Sequence, residues 1–407
     1  MKAIRYTLIL GLVAAAFNVI PASAQDADST SLRTDVEYEF GHDLRFVAEI
    51  RSESPILRAT VFYRTSTAST THYAFAELTQ SSPVLAEVHL DLASAGFQPF
   101  SVIDYWWQLD FSETESYTSP LQRFTYRDNR FAWQFLQDQS ITVFWSSGDV
   151  GFGQTVADVA RVSLETISTD LALPLPSELS IYVYPSQLEL QGALALGGQD
   201  WIGGHAIPEL GVLLLSLPTE DRAPLSLANS VPHEMTHLML YQRMGDSYNN
   251  LPGWLNEGLA VMQQEYQEPA YELALSEALD NNRLLPLESL CAAFPYDREE
   301  ALLAYAESHG FVRHLHDVYG IGAIVRLLDT YQEGASCTGG VQRVFNRSLD
   351  DLQEDWISSS VEGISAAGLS TIELGAYALL LLPAAVSLAV VLIRKKSTLE
   401  FEEDNHV

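Results

Sequence analysis

The chain has 407 residues, with 22 basic against 53 acidic side chains and a formal net charge of −31. That balance excludes nucleic acid as a partner, because binding to phosphates depends on basic groups. Its lysines, Lys2, Lys395 and Lys396, all fall at the two ends, which also excludes a Walker-type phosphate loop or a Schiff-base lysine from everything between them.

The first element in chain order is a secretory signal. Lys2 and Arg5 precede an apolar run from Tyr6 to Ile20, and Ala22-Ser23-Ala24 then gives small residues at a cleavage site. Residues 1–24 are therefore expected to be removed, leaving an exported chain that starts at Gln25. Residues 25–128 alternate apolar and polar positions in short runs, as in Leu44-Phe46-Ala48-Ile50, Val61-Tyr63, Tyr73-Phe75, Ala86-Val88-Leu90-Leu92 and Tyr105-Trp107-Leu109-Phe111. A period of two marks half-buried antiparallel strands, and this series predicts an all-β sandwich of the immunoglobulin or fibronectin type. The polar string Arg127-Asp128-Asn129-Arg130 marks its end.

From 129 to 357 the pattern is mixed. Strands are predicted at 141–145, 179–184 and 212–217, with a helix at 156–171 between the first two. Mostly helices follow, at 227–244, 252–266, 270–281, 299–319 and 321–331. A small, polar stretch at 358–373 reads as a stalk. The uncharged apolar segment 374–393 is long enough to span a bilayer, and Arg394-Lys395-Lys396 follows it directly. By the positive-inside rule this predicts one membrane-spanning helix, with the tail 394–407 cytoplasmic and the large central portion extracytoplasmic. The two cysteines, Cys291 and Cys337, lie in that exported portion, where a disulfide is permitted. Their pairing stays open at this level, and they are too few for a zinc ribbon.

The chemistry centres on His233-Glu234-Met235-Thr236-His237. On a helix, residues four apart share a face, so both imidazoles can bind one cation with Glu234 beside it. A zinc ion draws the pKa of bound water toward neutrality, and a carboxylate there can take the proton and later deliver it to a leaving amine. Pro232 directly before the motif is awkward within a helix and fits best in a first turn or at a kink. Catalytic zinc needs a third protein ligand and one open position. Glu257, within Pro252-Gly253-Trp254-Leu255-Asn256-Glu257-Gly258-Leu259-Ala260, is the candidate, and Gly258 would permit close contact between helices.

These motifs make the chain resemble the peptidase MA-like gluzincins, in particular membrane-anchored bacterial members in which a β-sandwich precedes the peptidase domain. The likeness extends over most of residues 30 to 356, through Tyr105-Trp106-Trp107, Trp201-Ile202-Gly203-Gly204-His205-Ala206, Tyr305-Ala306-Glu307-Ser308 and Trp356. It implies a multidomain protein whose second part is an α+β, mostly helical, thermolysin-like peptidase domain. It also implies zinc on His233, His237 and Glu257, with Glu234 as base, and a peptide or protein substrate. Well-known gluzincins often carry a carboxylate four residues after the glutamate ligand to orient a zinc-bound histidine. Here that position is Val261, which leaves the partner of the histidines unidentified.

Many gluzincins stabilise the oxyanion with a Tyr or His from a later helix; Tyr305 and His309, four apart, are candidates here or else ordinary residues of an amphipathic helix. His205, His314 and His316 receive no role. The run Val212 to Leu217 is expected near the sheet edge over the metal-binding helix, where an extended peptide could add. Two further readings compete: a catalytically inactive, metallopeptidase-like surface binding protein, and a structural envelope protein with a chance motif.

Overall fold

A computed structural model describes residues 30–92, 96–194, 204–217, 223–292, 294–295 and 297–360. The predicted signal segment, Trp201 to Gly203, the apolar segment 374–393 and the tail lie outside the described residues. Among the described residues no helix is long and apolar enough to cross a membrane. The chain forms two compact units, dividing between Arg130 and Phe131.

The first unit is built from two antiparallel sheets. One has the order β1 (Ser31–Glu39), β2 (Asp43–Arg51), β6 (Val84–Asp91), β5 (Glu77–Thr79). The other has β4 (His72–Phe75), β3 (Arg58–Thr65), β7 (Val102–Asp110), β8 (Ser116–Thr118), with β9 (Gln122–Thr125) also paired to β7. Alternation sends one set of side chains inward, so Phe46 of β2 meets Tyr63 and Tyr105 from the facing sheet with ring centroids 5.6 Å and 5.2 Å apart. β4 departs from the half-buried expectation. Among the described residues it pairs only with β3, and Tyr73 and Phe75 point outward, 61% and 59% exposed.

In the second unit a mixed sheet runs β10 (Gln134–Asp138), β11 (Ile141–Trp145), β12 (Leu179–Tyr184), β14 (Val212–Ser216), β13 (Gly204–Ile207). β11, β12 and β14 are parallel, and the outer strands β10 and β13 are antiparallel to their neighbours. The run expected near the sheet edge, Val212 to Leu217, supplies β14, which pairs directly with the edge strand β13. Val212 to Leu215 are buried, as a central strand covered on both faces requires, and β13 takes the edge.

Helices α1 (Val150–Leu171) and α2 (Gln187–Leu194) alternate with the strands, and α3 (Ala223–Met244), α4 (Gly253–Met262), α5 (Pro269–Asp280), α6 (Arg298–Tyr319), α7 (Ile321–Gln332) and α8 (Cys337–Phe345) follow. The starts of α1 and α6 are fixed by capping carboxylates. Asp149 accepts from the amide of Phe152, and Asp297 accepts from those of Glu299 and Glu300. A last helical stretch, 349–360, carries the chain past the point where the stalk was expected to begin. Trp356 is buried against Phe311 of α6, and its carbonyl accepts from the hydroxyls of Ser359 and Ser360.

Two features hold the helices that form the site. Gly258 of α4 lies against α6 so closely that a Cβ there would sit 2.5 Å from the Ser308 carbonyl oxygen and from Val312 Cγ2. Only glycine permits that approach, as the sequence suggested. Cys291 and Cys337 are joined in a disulfide, and Cys337 Sγ accepts from the Trp254 indole of α4 at 3.4 Å. A closed loop of this length restricts the unfolded chain and stabilises the fold by a few kcal/mol.

Glu307 of α6 is fully buried. Its Oε1 accepts from the Leu285 amide at 2.8 Å, and its Oε2 has no hydrogen-bond partner among the described residues. Burial pushes this carboxyl up to about 8 from an ordinary 4.5, with the Leu285 bond opposing the rise. The folded state therefore holds a proton that the unfolded chain has released, and stability falls as pH rises from about 4.5 to 8. Glu307→Gln should melt like the wild type at pH 5 and several degrees higher at pH 8.5. Parallel melting curves at the two pH values check it, and an equal offset at both would refute the buried neutral carboxyl.

Candidate metal centre

The site is assembled from two helices, α3 and α4, with α6 closing one side. His233 and His237 stand one turn apart on α3, and their Nε2 atoms are 3.3 Å from each other. Glu257 of α4 brings its Oε2 to 3.5 Å from His233 Nε2 and 3.4 Å from His237 Nε2. These three side chains form the one group among the described residues whose donor atoms converge in the way a metal requires.

Two observations test whether the trio fits a cation. Glu257 Oε2 is enclosed yet makes no hydrogen bond among the described residues, a costly state for a carboxylate oxygen unless something else satisfies it. Tetrahedral coordination with bonds of about 2.0–2.2 Å also places its ligand atoms about 3.3–3.6 Å apart, which the three measured separations match. The local electrostatics agree. Burial alone would lower His237, but the Glu257 carboxylate outweighs it and pushes the imidazole up to about 9. Burial likewise opposes ionisation of Glu257, and the two imidazoles, His237 foremost, still hold it well below the usual carboxylate range. The trio therefore draws positive charge to the point its donor atoms share.

Partners behind the histidines were missed at the sequence level. His237 Nδ1 lies 3.1 Å from Asn256 Oδ1, whose own amide donates to Tyr248 Oη at 3.1 Å. His233 Nδ1 lies 3.1 Å from the side-chain amide of Gln264. Asn256 stood in plain view beside Glu257 in the Trp254-Leu255-Asn256-Glu257 string. Gln264 carried no short-range signal.

Pro232 does not sit in a first turn, one of the two placements the sequence allowed. It occupies the interior of α3, where it cannot donate to the carbonyl of Ala228 one turn back. That carbonyl accepts from the Glu265 amide instead, at 3.2 Å. The defect in one helix thus becomes an anchor for the loop after α4.

Glu234 projects into a cavity of about 450 Å³ that His233, Tyr271, Leu302, Arg298 and Tyr305 also line. Gly204 of the edge strand β13 lines it too, and a Cβ on Gly204 would fall 2.7 Å from Glu234 Oε1. Burial holds the adjacent His205 below its ordinary range, against the opposing charge of Glu234. Tyr305 packs its ring 6.2 Å from His233 and 5.0 Å from Phe294. Burial, reinforced by the charges of Glu257 and Glu234, pushes its phenol far above the ordinary range, so it stays a protonated donor.

His309 is not brought to this cavity. One turn further along α6, it lines a separate polar cavity with Gln267, Arg313, His316 and Asp317, and burial followed by Arg313 pushes it down to about 4. Four residues on a helix advance by about 6 Å, enough to carry a side chain beyond the rim of the first cavity. His314 is half-buried on the same helix, where its ring nitrogen meets Ser359.

The sequence model of a family described as the Peptidase MA superfamily matches residues 159–362. No curated protein matches the chain. Among solved structures, the crystal structure of an aminopeptidase N family protein from Idiomarina loihiensis is 8% identical, with 80% of this chain and 76% of that one covered and a TM-score of 0.41. A structure described as a myokine covers 23% of this chain and 93% of its own length at 7% identity, with a TM-score of 0.19.

Proposed function

Because the chain belongs to the Peptidase MA superfamily and its function is accordingly of the peptidase type, we propose that it is a zinc-dependent peptidase in which His233, His237 and Glu257 hold the cation and Glu234 is the general base. The observation that carries this reading is the convergence of three donor atoms at 3.3 to 3.5 Å, with Glu234 beside them in one cavity. Imidazole and carboxylate donors at tetrahedral spacing suit zinc, which also tolerates an open fourth position.

When bound, the cation supplies Lewis-acid activation of water and of the scissile carbonyl. The protein's own residues do the rest. Glu234 accepts a proton from the attacking water through its carboxylate and passes it to the leaving amine. Tyr305, held protonated, offers its hydroxyl to the oxyanion that develops on the carbonyl. His309 has no part in this reading, since it faces a different cavity.

β13 supports a peptide substrate. It is the edge of its sheet and approaches Glu234 at Gly204, so an extended chain adding to that edge by main-chain hydrogen bonds would pass the base. We extend the proposal to placement: the signal-like segment 1–24 and the apolar segment 374–393 support a single-pass protein with this site outside the cytoplasm.

The test is metal analysis of the purified chain together with a peptide-library assay, and then the same assay on peptide added outside intact cells. About one equivalent of zinc, with cleavage abolished by a chelator and restored by zinc, is expected. Zinc bound without turnover of any peptide would replace this reading with the metal-binding surface protein, and a zinc-free active chain would remove the metal. Activity confined to broken cells would overturn the placement alone.

A further inference from the structure

We propose that Gln264 is the positioning residue for His233, supplying through a neutral amide what a carboxylate supplies elsewhere. The inference rests on the zinc site proposed above and concerns how firmly that site holds its cation.

The geometry begins with the tautomer. For His233 to present a lone pair from Nε2 toward His237 Nε2 and Glu257 Oε2, its proton must sit on Nδ1, and that N–H needs an acceptor. The position four residues after Glu257 offers none, because it is the buried, apolar Val261. Gln264 is the group that meets Nδ1, its amide 3.1 Å away. Its Oε1 is enclosed and has no hydrogen-bond partner among the described residues. A half-turn of the amide exchanges oxygen and nitrogen and sets that unpartnered oxygen on the Nδ1–H, satisfying both groups.

The backbone fixes this side chain in place through three successive amides. Gln264 N–H donates to the Val261 carbonyl at 3.1 Å, Glu265 N–H to the Ala228 carbonyl at 3.2 Å, and Tyr266 N–H to Asn229 Oδ1 at 3.0 Å. The middle bond exists because Pro232 leaves the Ala228 carbonyl without its intrahelical donor. Pro232 and Gln264 are thus two parts of one device. The proline in the metal-binding helix frees the Ala228 carbonyl to hold the loop that sets the tautomer of the histidine next to it.

An amide is a weaker acceptor than a carboxylate and adds no negative charge. Gln264 therefore orients His233 while leaving the site less basic, and so holding zinc less tightly, than a carboxylate at the same place would.

The experiment measures zinc affinity by chelator competition on the purified full chain, with thermal melting in excess chelator as the control for the fold. Gln264→Leu should weaken zinc binding by about 10- to 100-fold at an unchanged chelated melting temperature. Gln264→Glu, which restores an anionic acceptor, should bind zinc at least about tenfold more tightly than the wild type. Wild-type affinity in both variants would overturn the inference and leave the zinc site standing, as would equal weakening in both. If Gln264→Leu fails to fold, Gln264→Glu alone decides the matter. Absence of zinc binding by the wild type would remove the metal site itself, and this inference with it.

Discussion

Glu234→Gln is expected to leave zinc bound at about one equivalent while peptide hydrolysis falls by at least about a hundredfold. Glutamine keeps the length and the hydrogen-bonding oxygen of glutamate but accepts no proton at neutral pH. Glu234 stands outside the trio of donor atoms, lining the cavity beside it, so the metal does not depend on its charge for a ligand. Its carboxylate lies under Gly204 of β13, and the isosteric amide fills the same space. Zinc content and hydrolysis rate, measured on one preparation, check the prediction. Loss of zinc in step with activity would mean that Glu234 belongs to the coordination shell.

Glu257→Gln is expected to fail in the other way. Its oxygen is the only anionic donor of the trio, and exchanging it for a neutral one removes the charge that balances the cation. Zinc affinity and activity should therefore fall together, with activity partly restored by added zinc. The contrast between the two variants is sharper than either result alone, because both remove one carboxylate from the same cavity region. Full zinc affinity in Glu257→Gln, under competition with a chelator, would send the search for a third ligand elsewhere and end the proposed zinc site as drawn.

What could be read from the sequence divides by range. The paired histidines follow from a four-residue spacing on a helix, and the glutamate from a motif that also fixes the start of its own helix, so the trio needed only local patterns. Gly258 was legible for the same reason: a glycine inside an apolar helix invites close packing, and α6 fills the space. The groups behind the histidines were not legible. Gln264 reaches His233 only because the loop after α4 turns back onto α3, and no periodicity announces such a turn. β13 was missed because it is short and pairs with a strand later in the chain. Val212–Leu217 was legible as lying near the edge, and the burial of Val212 to Leu215 sets it one strand inside, beside β13. His309 shows the limit of helical spacing itself, which puts residues on a common face without saying how far a cavity extends along it.

Gly204 carries a consequence for anyone who sets out to make this protein more robust. Glycine in a strand weakens it, its backbone here is not in the left-handed region, and exchange for alanine or a β-branched residue is a standard step in thermostabilisation. At position 204 that step collides with Glu234, and the cheapest relief is for the flexible carboxylate to swing aside while the strand stays in place. The protein would leave such a programme harder to melt and poorer at its chemistry, with the trade between endurance and turnover lodged in a single missing methyl group.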